Sequence, residues 1–294
     1  MSRIINKIYH HFSSGSGHIL KKIKPKRYML LLVFSLLTVA GMAQEKLSLL
    51  SWNLKDLGRS KSEQQIRFIA EIAKGYDLLA IQEVVAGEGG PDAVARLADE
   101  LNRLGSKWDY EISEPTFGSS AHKSERYAYL WKTSKITKQG KGWLDVPLRD
   151  KIEREPFYSR FRVKNSTFVL VNFHAITKSA QPETEVKYFR YIPERYSTDK
   201  LVFCGDFNLP QSHTVFIPLL KMGFVPAMRG QKTSLRQRCL NGDCLASEFD
   251  NFFFDSRRIK LRNAGVILFY EKFIKFEQAR KLTDHVPIFA DLIL

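Results

Sequence analysis

Short apolar runs alternate with amphipathic stretches along most of the chain, a pattern typical of mixed α/β proteins. The runs are rich in β-branched and aromatic side chains, and each ends at or near a polar residue. This pattern predicts strands at 47–52, 76–84, 127–131, 166–174, 201–207, 249–254 and 286–294.

Three stretches between these runs have helical character. Residues 62–74 place their apolar side chains on one helical face, at Ile66, Ile69, Ala70 and Ala73. Residues 91–104 begin with a proline, which suits the first turn of a helix, and a third helix is predicted over 183–191. No internal repeat or shift in composition marks a second domain. The pattern therefore predicts one α/β domain.

The first 43 residues have a different character. Seven lysines and arginines precede the uncharged run MLLLVFSLLTVAGMA at 29–43, which ends in small residues. This order is typical of a secretory signal, and the run is shorter than the roughly 20 residues of a bilayer span. We expect residues 1–43 to be a basic segment with a signal peptide that is cleaved near Gln44, which makes the protein secreted or periplasmic. An uncleaved membrane anchor is the alternative.

Composition bounds the function without naming it. The 294 residues are 44% hydrophobic, which supports one large core and excludes a disordered chain. The net charge is +15, and it remains +8 without the seven basic residues of the N-terminal segment. A basic surface favours a polyanionic partner such as nucleic acid or an anionic membrane, although a solvated basic face is equally consistent with this charge.

The cysteines also bear on the compartment. Cys239 and Cys244 flank Asn241 and Gly242, which favour a tight turn. In an oxidising compartment this arrangement favours a disulfide, and no second Cys or His pair stands nearby at zinc spacing. Cys204 lies in an apolar run and is expected to be a buried thiol.

Polar side chains stand at the ends of the predicted strands, where layered α/β folds gather their ligands. Each one alone could serve as a turn residue, a cap or a hydrogen-bonded core group. Their joint placement favours a shared site instead. They are Asn53, Glu83, His174, Asp206, Asn208, Asp250, Asp284 and His285.

Several segments, in order, resemble the endonuclease/exonuclease/phosphatase superfamily of magnesium-dependent phosphodiesterases. They are SWNL (51–54), IQEV (81–84), GDFN (205–208) and TDH (283–285). Within the superfamily the chain is most similar to deoxyribonuclease I-like nucleases, through SEPTFGSSAHKSERYAYLWK (113–132), REPF (154–157) and FHA (173–175). The likeness runs from about Leu47 to the C-terminus. It implies that residues 44–294 form the catalytic domain, a four-layered α/β sandwich of two packed, mainly antiparallel sheets flanked by helices.

The resemblance also implies roles for individual residues. Asp206 orients or deprotonates the attacking water, and two histidine–carboxylate pairs, Glu125 with His174 and Asp250 with His285, supply an acid and a base. The implied catalytic set is Glu125, His174, Asp206, Asn208, Asp250 and His285. The implied phosphate contacts are Arg154, Asn208 and Thr233. The implied metal site is Asn53, Glu83 and Asp284, for Mg²⁺ with Ca²⁺ or Mn²⁺ as alternatives.

Two positions depart from the deoxyribonuclease I pattern. Val85 stands where those enzymes carry an arginine that enters the minor groove, and their groove-binding tyrosine has no clear counterpart, His122 and Lys123 being nearest. Both changes affect the grip on duplex DNA and leave the phosphate chemistry intact. Phosphate-backbone contacts could compensate, from Arg229, Lys232, Arg236 and Arg238.

The expected function is a metal-dependent endonuclease that cuts DNA with little sequence preference, with nucleic acid as its partner and no obligate protein partner. One alternative is a phosphodiesterase of the same superfamily acting on RNA, phospholipid or phosphoinositide. A catalytically inactive binding protein is the other. It is disfavoured because every site position that can be aligned holds a chemically competent residue.

Overall fold

The computed structural model describes residues 45–120 and 123–294. The predicted signal peptide, its cleavage near Gln44, and His122 lie outside these residues. Within the described ranges no helix is long and apolar enough to cross a membrane.

The first of two large sheets contains six strands in the order β13-β14-β1-β2-β4-β3. Strands β1 and β2 are parallel, and the other neighbours are antiparallel. Its strands are β1 (Lys46–Leu57), β2 (Leu78–Val85), β3 (Trp108–Ile112), β4 (Glu125–Lys132), β13 (Lys260–Val266) and β14 (Ile288–Ile293).

The second sheet also contains six strands, in the order β5-β6-β7-β8-β12-β9, with only β7 and β8 parallel. A separate hairpin carries the disulfide between Cys239 and Cys244, the pair expected from the sequence. The second sheet comprises β5 (Thr137–Leu144), β6 (Phe157–Val163), β7 (Ser166–His174), β8 (Leu201–Asp206), β9 (Phe224–Pro226) and β12 (Asp250–Asp255), and the hairpin comprises β10 (Leu235–Leu240) and β11 (Asp243–Leu245).

Helices cover the outer faces of both sheets. The longest are α1 (Glu63–Ala73) and α2 (Gly89–Arg103). Helix α1 starts at a capping box, in which the side chains of Ser62 and Gln65 each accept the backbone N–H of the other residue. The predicted helix at 183–191 is interrupted, because a 3₁₀ turn at Lys187–Tyr191 separates two short α-helical turns. The short helices are α3 (Glu183–Val186), α4 (Ile192–Arg195), α5 (Ile217–Lys221) and α6 (Phe276–Leu282).

Buried apolar side chains fill three spaces between these layers. One cluster lies between the two sheets and includes Leu49, Tyr129 and Phe252. The other two join each sheet to its own helices; α1 and α2 pack over the first sheet, and Phe189 packs over the second. The fold is therefore the four-layered α/β sandwich expected from the sequence.

Candidate active site

Three neighbouring strands of the second sheet place polar side chains together at one edge. In the strand register His174 of β7 lies opposite Asp206 of β8, and Asp206 lies opposite Asp250 of β12. Directly opposite residues of paired strands carry their side chains on the same face. Gly205 permits this register, because a Cβ there would lie 2.0 Å from the Phe173 carbonyl oxygen. The glycine of GDFN thus lets β8 approach β7 closely.

The first sheet contributes Asn53 and Glu83 from its two parallel strands, whose pairing shifts register just after Asn53. The pairing of β2 with β4 shifts register between Ile81 and Val84, and Glu83 within this irregularity has φ 58°. A non-glycine residue in the left-handed region is strained, and such strain is typical of functional sites. The irregularity displaces Glu83 from the regular strand alternation.

The first histidine–carboxylate pair joins His174 to Glu125. His174 Nδ1 lies 3.0 Å and 2.9 Å from the two Glu125 carboxylate oxygens, and the backbone N–H of Glu83 donates to Glu125 at 3.3 Å. Burial opposes protonation of His174, but the Glu125 carboxylate outweighs it and raises the pKa of the imidazole. The Arg154 guanidinium lies 3.7 Å from Glu125 and opposes that rise.

The second pair joins His285 to Asp250 at 2.8 Å, again through Nδ1. Burial opposes protonation here too, but Asp250 and Asp206 outweigh it and raise the pKa of His285 to about 10. Thr233 holds the Asp250 carboxylate in place, because its hydroxyl donates to Asp250 at 2.6 Å.

Thr233 is fully buried, and its hydroxyl also accepts the backbone N–H groups of Phe249 and Asp250 at 3.0 Å and 2.9 Å. The sequence assigned this side chain to the substrate phosphate. Its hydroxyl is committed to Asp250 instead, so the structure shows it as a support for the second pair.

Asp206 lies between the two pairs. Its Oδ2 is 3.6 Å from His174 Nε2, 3.5 Å from His285 Nε2 and 3.3 Å from Asn53 Nδ2. Burial raises the pKa of Asp206, and the two histidines oppose that rise. Two imidazoles fixed by separate carboxylates therefore present their remaining ring nitrogens to one buried aspartate.

Asn208 follows Asp206 in a tight turn. Its backbone N–H donates to Asp206 Oδ1 at 2.9 Å, and its φ is 51°. Asn208 Nδ2 donates one hydrogen to the Ala175 carbonyl at 3.1 Å. A carboxamide nitrogen carries two hydrogens, so one donor is anchored and the other is available to a ligand.

Asn53 and Glu83 form a connected pair at the site. Asn53 Nδ2 donates to Glu83 at 2.8 Å, and Asn53 Oδ1 accepts the Lys55 N–H at 3.0 Å. The backbone N–H of Asp56 donates to the other Glu83 oxygen at 3.3 Å. Asn53 therefore orients the Glu83 carboxylate, and its oxygen accepts one backbone hydrogen bond.

Glu83 opens onto a pocket of about 420 Å³, which Glu125, Arg154 and His174 also line. Arg154 is anchored there by its Nε, which donates to the His174 carbonyl at 3.0 Å, and by a second nitrogen that donates to Ala175. The anchoring leaves the remaining terminal N–H groups, at the edge of the planar guanidinium, for an anion.

Asp284 lies beside Lys55, with 3.4 Å between its Oδ2 and the lysine Nζ. Burial opposes the charge on Asp284, but His285 and Lys55 outweigh it and lower the pKa of the carboxyl group. Its side chain is 34% exposed, and that of Glu83 is 26% exposed. Both offer hard, accessible oxygen atoms, as Mg²⁺ and Ca²⁺ require.

A second set of potential ligand atoms lies deeper. Donor atoms of Asp206, Asp250 and His285 lie within 4.8 Å of one another, and all three residues are buried. Their nitrogen and oxygen atoms are already engaged with each other. Because Mg²⁺ usually keeps several of its waters, the accessible carboxylates fit that ion better than the buried set.

Two lysines beside the site are not among the residues predicted from the sequence. Lys55 pairs with Asp284, and the buried Lys61 donates from Nζ to the Leu282 carbonyl at 2.6 Å, next to the TDH segment. Burial lowers the pKa of Lys61, although Asp56 and Glu83 oppose that shift. Lys55 lies near the end of β1 and Lys61 in the segment after it, and neither position gave a local signal because the partners of both lysines are distant in sequence.

Comparison with known proteins identifies relatives over nearly the whole described domain. The model of the Endonuclease/Exonuclease/phosphatase family matches residues 50–285. A protein named deoxyribonuclease from Thioalkalivibrio sp. (strain K90mix) is 27% identical over 281 residues, covering 88% of this chain and 74% of that protein.

Solved structures share the fold. An endonuclease/exonuclease/phosphatase family protein from Bacteroides thetaiotaomicron superposes with a TM-score of 0.61 at 16% identity, covering 85% of this chain and 98% of the other. D. rerio TDP2 complexed with single strand DNA product gives 0.60 at 14% identity, covering 85% and 99%.

Proposed function

The chain belongs to the endonuclease/exonuclease/phosphatase family, and from that premise we propose that it is a metal-dependent endonuclease that hydrolyses DNA with little sequence preference. The convergence of two histidine–carboxylate pairs on Asp206 carries this proposal. The relative named deoxyribonuclease supports DNA as the substrate.

Hydrolysis of a phosphodiester requires an oriented water, a proton acceptor and a proton donor, together with neutralisation of the phosphate charge. Asp206 provides a carboxylate that orients the water or accepts its proton. His174 and His285 hold or release a proton at Nε2, because Glu125 and Asp250 occupy their Nδ1 atoms. The Nε2 atoms of both histidines lie within 3.6 Å of Asp206 Oδ2.

The substrate phosphate would be held by donors around this centre. The free hydrogen of the Asn208 amide and the anchored Arg154 guanidinium provide such donors. Arg154 carries a permanent charge, and its planar fork suits two phosphate oxygens.

Glu83 and Asp284 would hold Mg²⁺, with Asn53 orienting Glu83; Ca²⁺ or Mn²⁺ are alternatives with the same oxygen donors. A bound divalent ion neutralises charge on the phosphate and stabilises the leaving oxygen. Lys55 and the buried Lys61 keep the segments that carry Asn53 and Asp284 together.

Export is part of the proposal. The disulfide between Cys239 and Cys244 supports an oxidising compartment, secreted or periplasmic, with a membrane anchor through the N-terminal segment as the alternative. N-terminal sequencing of the protein from its native host tests this. A new terminus near Gln44 is expected, and an intact Met1 in the soluble cytosolic fraction contradicts export.

A plasmid-nicking assay tests the activity, run with Mg²⁺ and with EDTA beside a phospholipid-release assay. We expect nicking with Mg²⁺, its loss with EDTA, and no phospholipid release. Phospholipid release without nicking contradicts the proposed substrate, and the absence of metal-dependent activity in both assays contradicts the proposed enzyme.

Val85 should affect strand preference. It pairs with Glu125 in the strand register and lines the same pocket. A small apolar side chain cannot bind in the minor groove as arginine does, so we expect salt-sensitive binding through phosphates and cleavage of single strands within about tenfold of duplex. Val85→Arg should shift cleavage toward duplex. A strong duplex preference that Val85→Arg leaves unchanged contradicts this account.

A further inference from the structure

Phe117 is the most exposed aromatic side chain in the described part of the chain, with 61% of its surface accessible. Its backbone is nevertheless held firmly. The Phe117 N–H donates to the buried Glu155 carboxylate at 2.8 Å, and the next N–H, of Gly118, donates to the Glu153 carbonyl at 3.1 Å. A large apolar ring is thus displayed to solvent from a fixed backbone.

The same backbone is tied directly to the catalytic centre. Thr116, which precedes Phe117, donates its N–H to the Glu125 carbonyl at 2.8 Å and accepts the Glu125 N–H on its hydroxyl at 3.1 Å. Arg154 lies in sequence between the two glutamates that hold Phe117 and Gly118. Phe117 is therefore held by a neighbour that is hydrogen-bonded to Glu125 and by the two residues next to Arg154 in the sequence.

Beside Phe117 lies a cleft of about 380 Å³. Its lining includes the apolar side chains of Trp143, Phe157 and the half-exposed Val146. Two cations, Lys141 and Arg149, and two carboxylates, Glu114 and Glu155, also line it. Lys141 lies 3.8 Å from Glu114, and Glu155 accepts the Phe117 N–H, so Arg149 is the cation next to the exposed ring. The Arg149 guanidinium lies 5.3 Å from the Phe117 ring centroid. An aromatic ring and a cation together bind flat, electron-rich groups attached to anions.

We propose, on the basis of the proposed function, that Phe117 and this cleft bind one unpaired nucleobase adjacent to the scissile phosphate. The cleft has the size of a site for one small organic group, and Arg149 beside the Phe117 ring supplies a cation for a neighbouring phosphate. A base can stack on Phe117 only when it is out of a duplex, so this site favours single-stranded or locally opened nucleic acid.

A dinucleotide with a single phosphodiester bond tests this directly. It is compared with two versions in which the 5′ or the 3′ nucleoside is replaced by an abasic tetrahydrofuran residue. The full-length protein and its Phe117→Ala variant are assayed on all three, with bis(4-nitrophenyl) phosphate as a substrate without bases. The measured quantity is kcat/KM relative to that base-free substrate.

For the unmodified protein we expect one abasic version to lose about tenfold in this ratio, the usual effect of one base–aromatic stack. In Phe117→Ala the intact dinucleotide should lose a similar factor, and removal of the base should then have little further effect. Phe117→Tyr should restore the dependence on the base. Such coupling between one base and one side chain shows that the two interact.

Tyr191 provides a matched control. It is 45% exposed, and the Arg190 guanidinium lies 4.7 Å from its ring centroid, so it repeats the aromatic–cation arrangement at a different surface position. Tyr191→Ala should leave the ratio unchanged.

If the unmodified protein cleaves the dinucleotide but Phe117→Ala keeps the full dependence on the base, the base site is contradicted and the nuclease proposal stands. If the unmodified protein cleaves only the base-free diester, neither the nuclease proposal nor the base site survives.

Discussion

The two histidine–carboxylate pairs reach the same geometry with different supports. In each pair a carboxylate oxygen lies 3.0 Å or less from the histidine Nδ1. The other ring nitrogen, Nε2, lies near Asp206 Oδ2, at 3.6 Å for His174 and 3.5 Å for His285. The carboxylate of the first pair is supported by the charged Arg154 and a backbone N–H. The carboxylate of the second is supported by the neutral hydroxyl of Thr233.

The difference shows which features the chemistry needs. Both sides keep a fixed imidazole directed at Asp206, whereas the group behind the carboxylate changes from a cation to a hydroxyl. The first pair also borders the pocket that contains Glu83 and Arg154, so it faces the proposed metal and phosphate sites. Neither residue of the second pair lines that pocket, but His285 adjoins Asp284, the other proposed metal ligand.

Asp206→Asn removes the group that the two pairs share and should have the largest effect. We expect kcat/KM for plasmid nicking to fall by about a thousandfold or more, since general acid–base groups contribute up to about 10⁴-fold. The variant should keep the fold, because asparagine is close in size to aspartate and burial already disfavours the charge at this position. Activity within tenfold of that of the unmodified protein would show that Asp206 is not the central catalytic group.

His174→Ala and His285→Ala test whether the two pairs are equally necessary. Each should reduce phosphodiester hydrolysis by at least about a hundredfold without unfolding the protein. His213→Ala is the control, because His213 lies outside the site and accepts the Val215 N–H within a turn. Near-normal turnover in either site variant, with the control also active, would mean that its pair is structural.

Glu83→Gln tests the proposed metal ligand that lies beside the first pair. Replacing a charged ligand by a neutral one should raise the Mg²⁺ concentration for half-maximal nicking by about tenfold or more. Glu88→Gln, at a fully solvated ion pair with Arg59, should leave the Mg²⁺ dependence unchanged. An unchanged Mg²⁺ requirement in Glu83→Gln would place the metal elsewhere, for example at the buried set around Asp206.

Thr233→Val should have the smallest effect, because it removes only the support behind the second pair. We expect kcat to fall several-fold and stability to fall by about 1–3 kcal/mol, the cost of unsatisfied buried polar groups. Thr233→Ser retains the hydroxyl and should restore most of both. If KM rises while kcat is unchanged, Thr233 contacts the phosphate, as the family resemblance implied.

Much of the fold could be predicted from the sequence because the central strands are buried on both faces. Their continuous apolar runs, such as the one at 201–207, carry the signal by themselves. Two of the strands that were not predicted have mostly polar or exposed residues, Thr137–Leu144 and the edge strand Lys260–Val266. Such strands are specified by the neighbour with which they pair, which no local pattern records.

Prediction of the site from the sequence has the same limit, because contacts between distant segments leave no local pattern. Strand-end placement and the family resemblance brought Glu125, His174, Asp206, Asp250 and His285 into one hypothesis, and the structure places them together. The position of Thr233 behind Asp250 depends on a hydrogen bond across 17 residues, and that of Lys61 on a contact across 221. Long-range contacts of this kind follow from the assembled fold and not from residue spacing.

A double variant, His174→Ala with His285→Ala, tests most directly whether the two pairs act as one unit at Asp206. Nicking rates with Mg²⁺ are measured for both single variants, for the double variant and for the unmodified full-length protein. Groups that serve one reaction step as a unit show strongly non-additive losses. We expect the nicking rate of the double variant to be no more than about tenfold below that of the less active single variant. Losses that multiply, so that the double variant falls by the product of the two single losses, would contradict it.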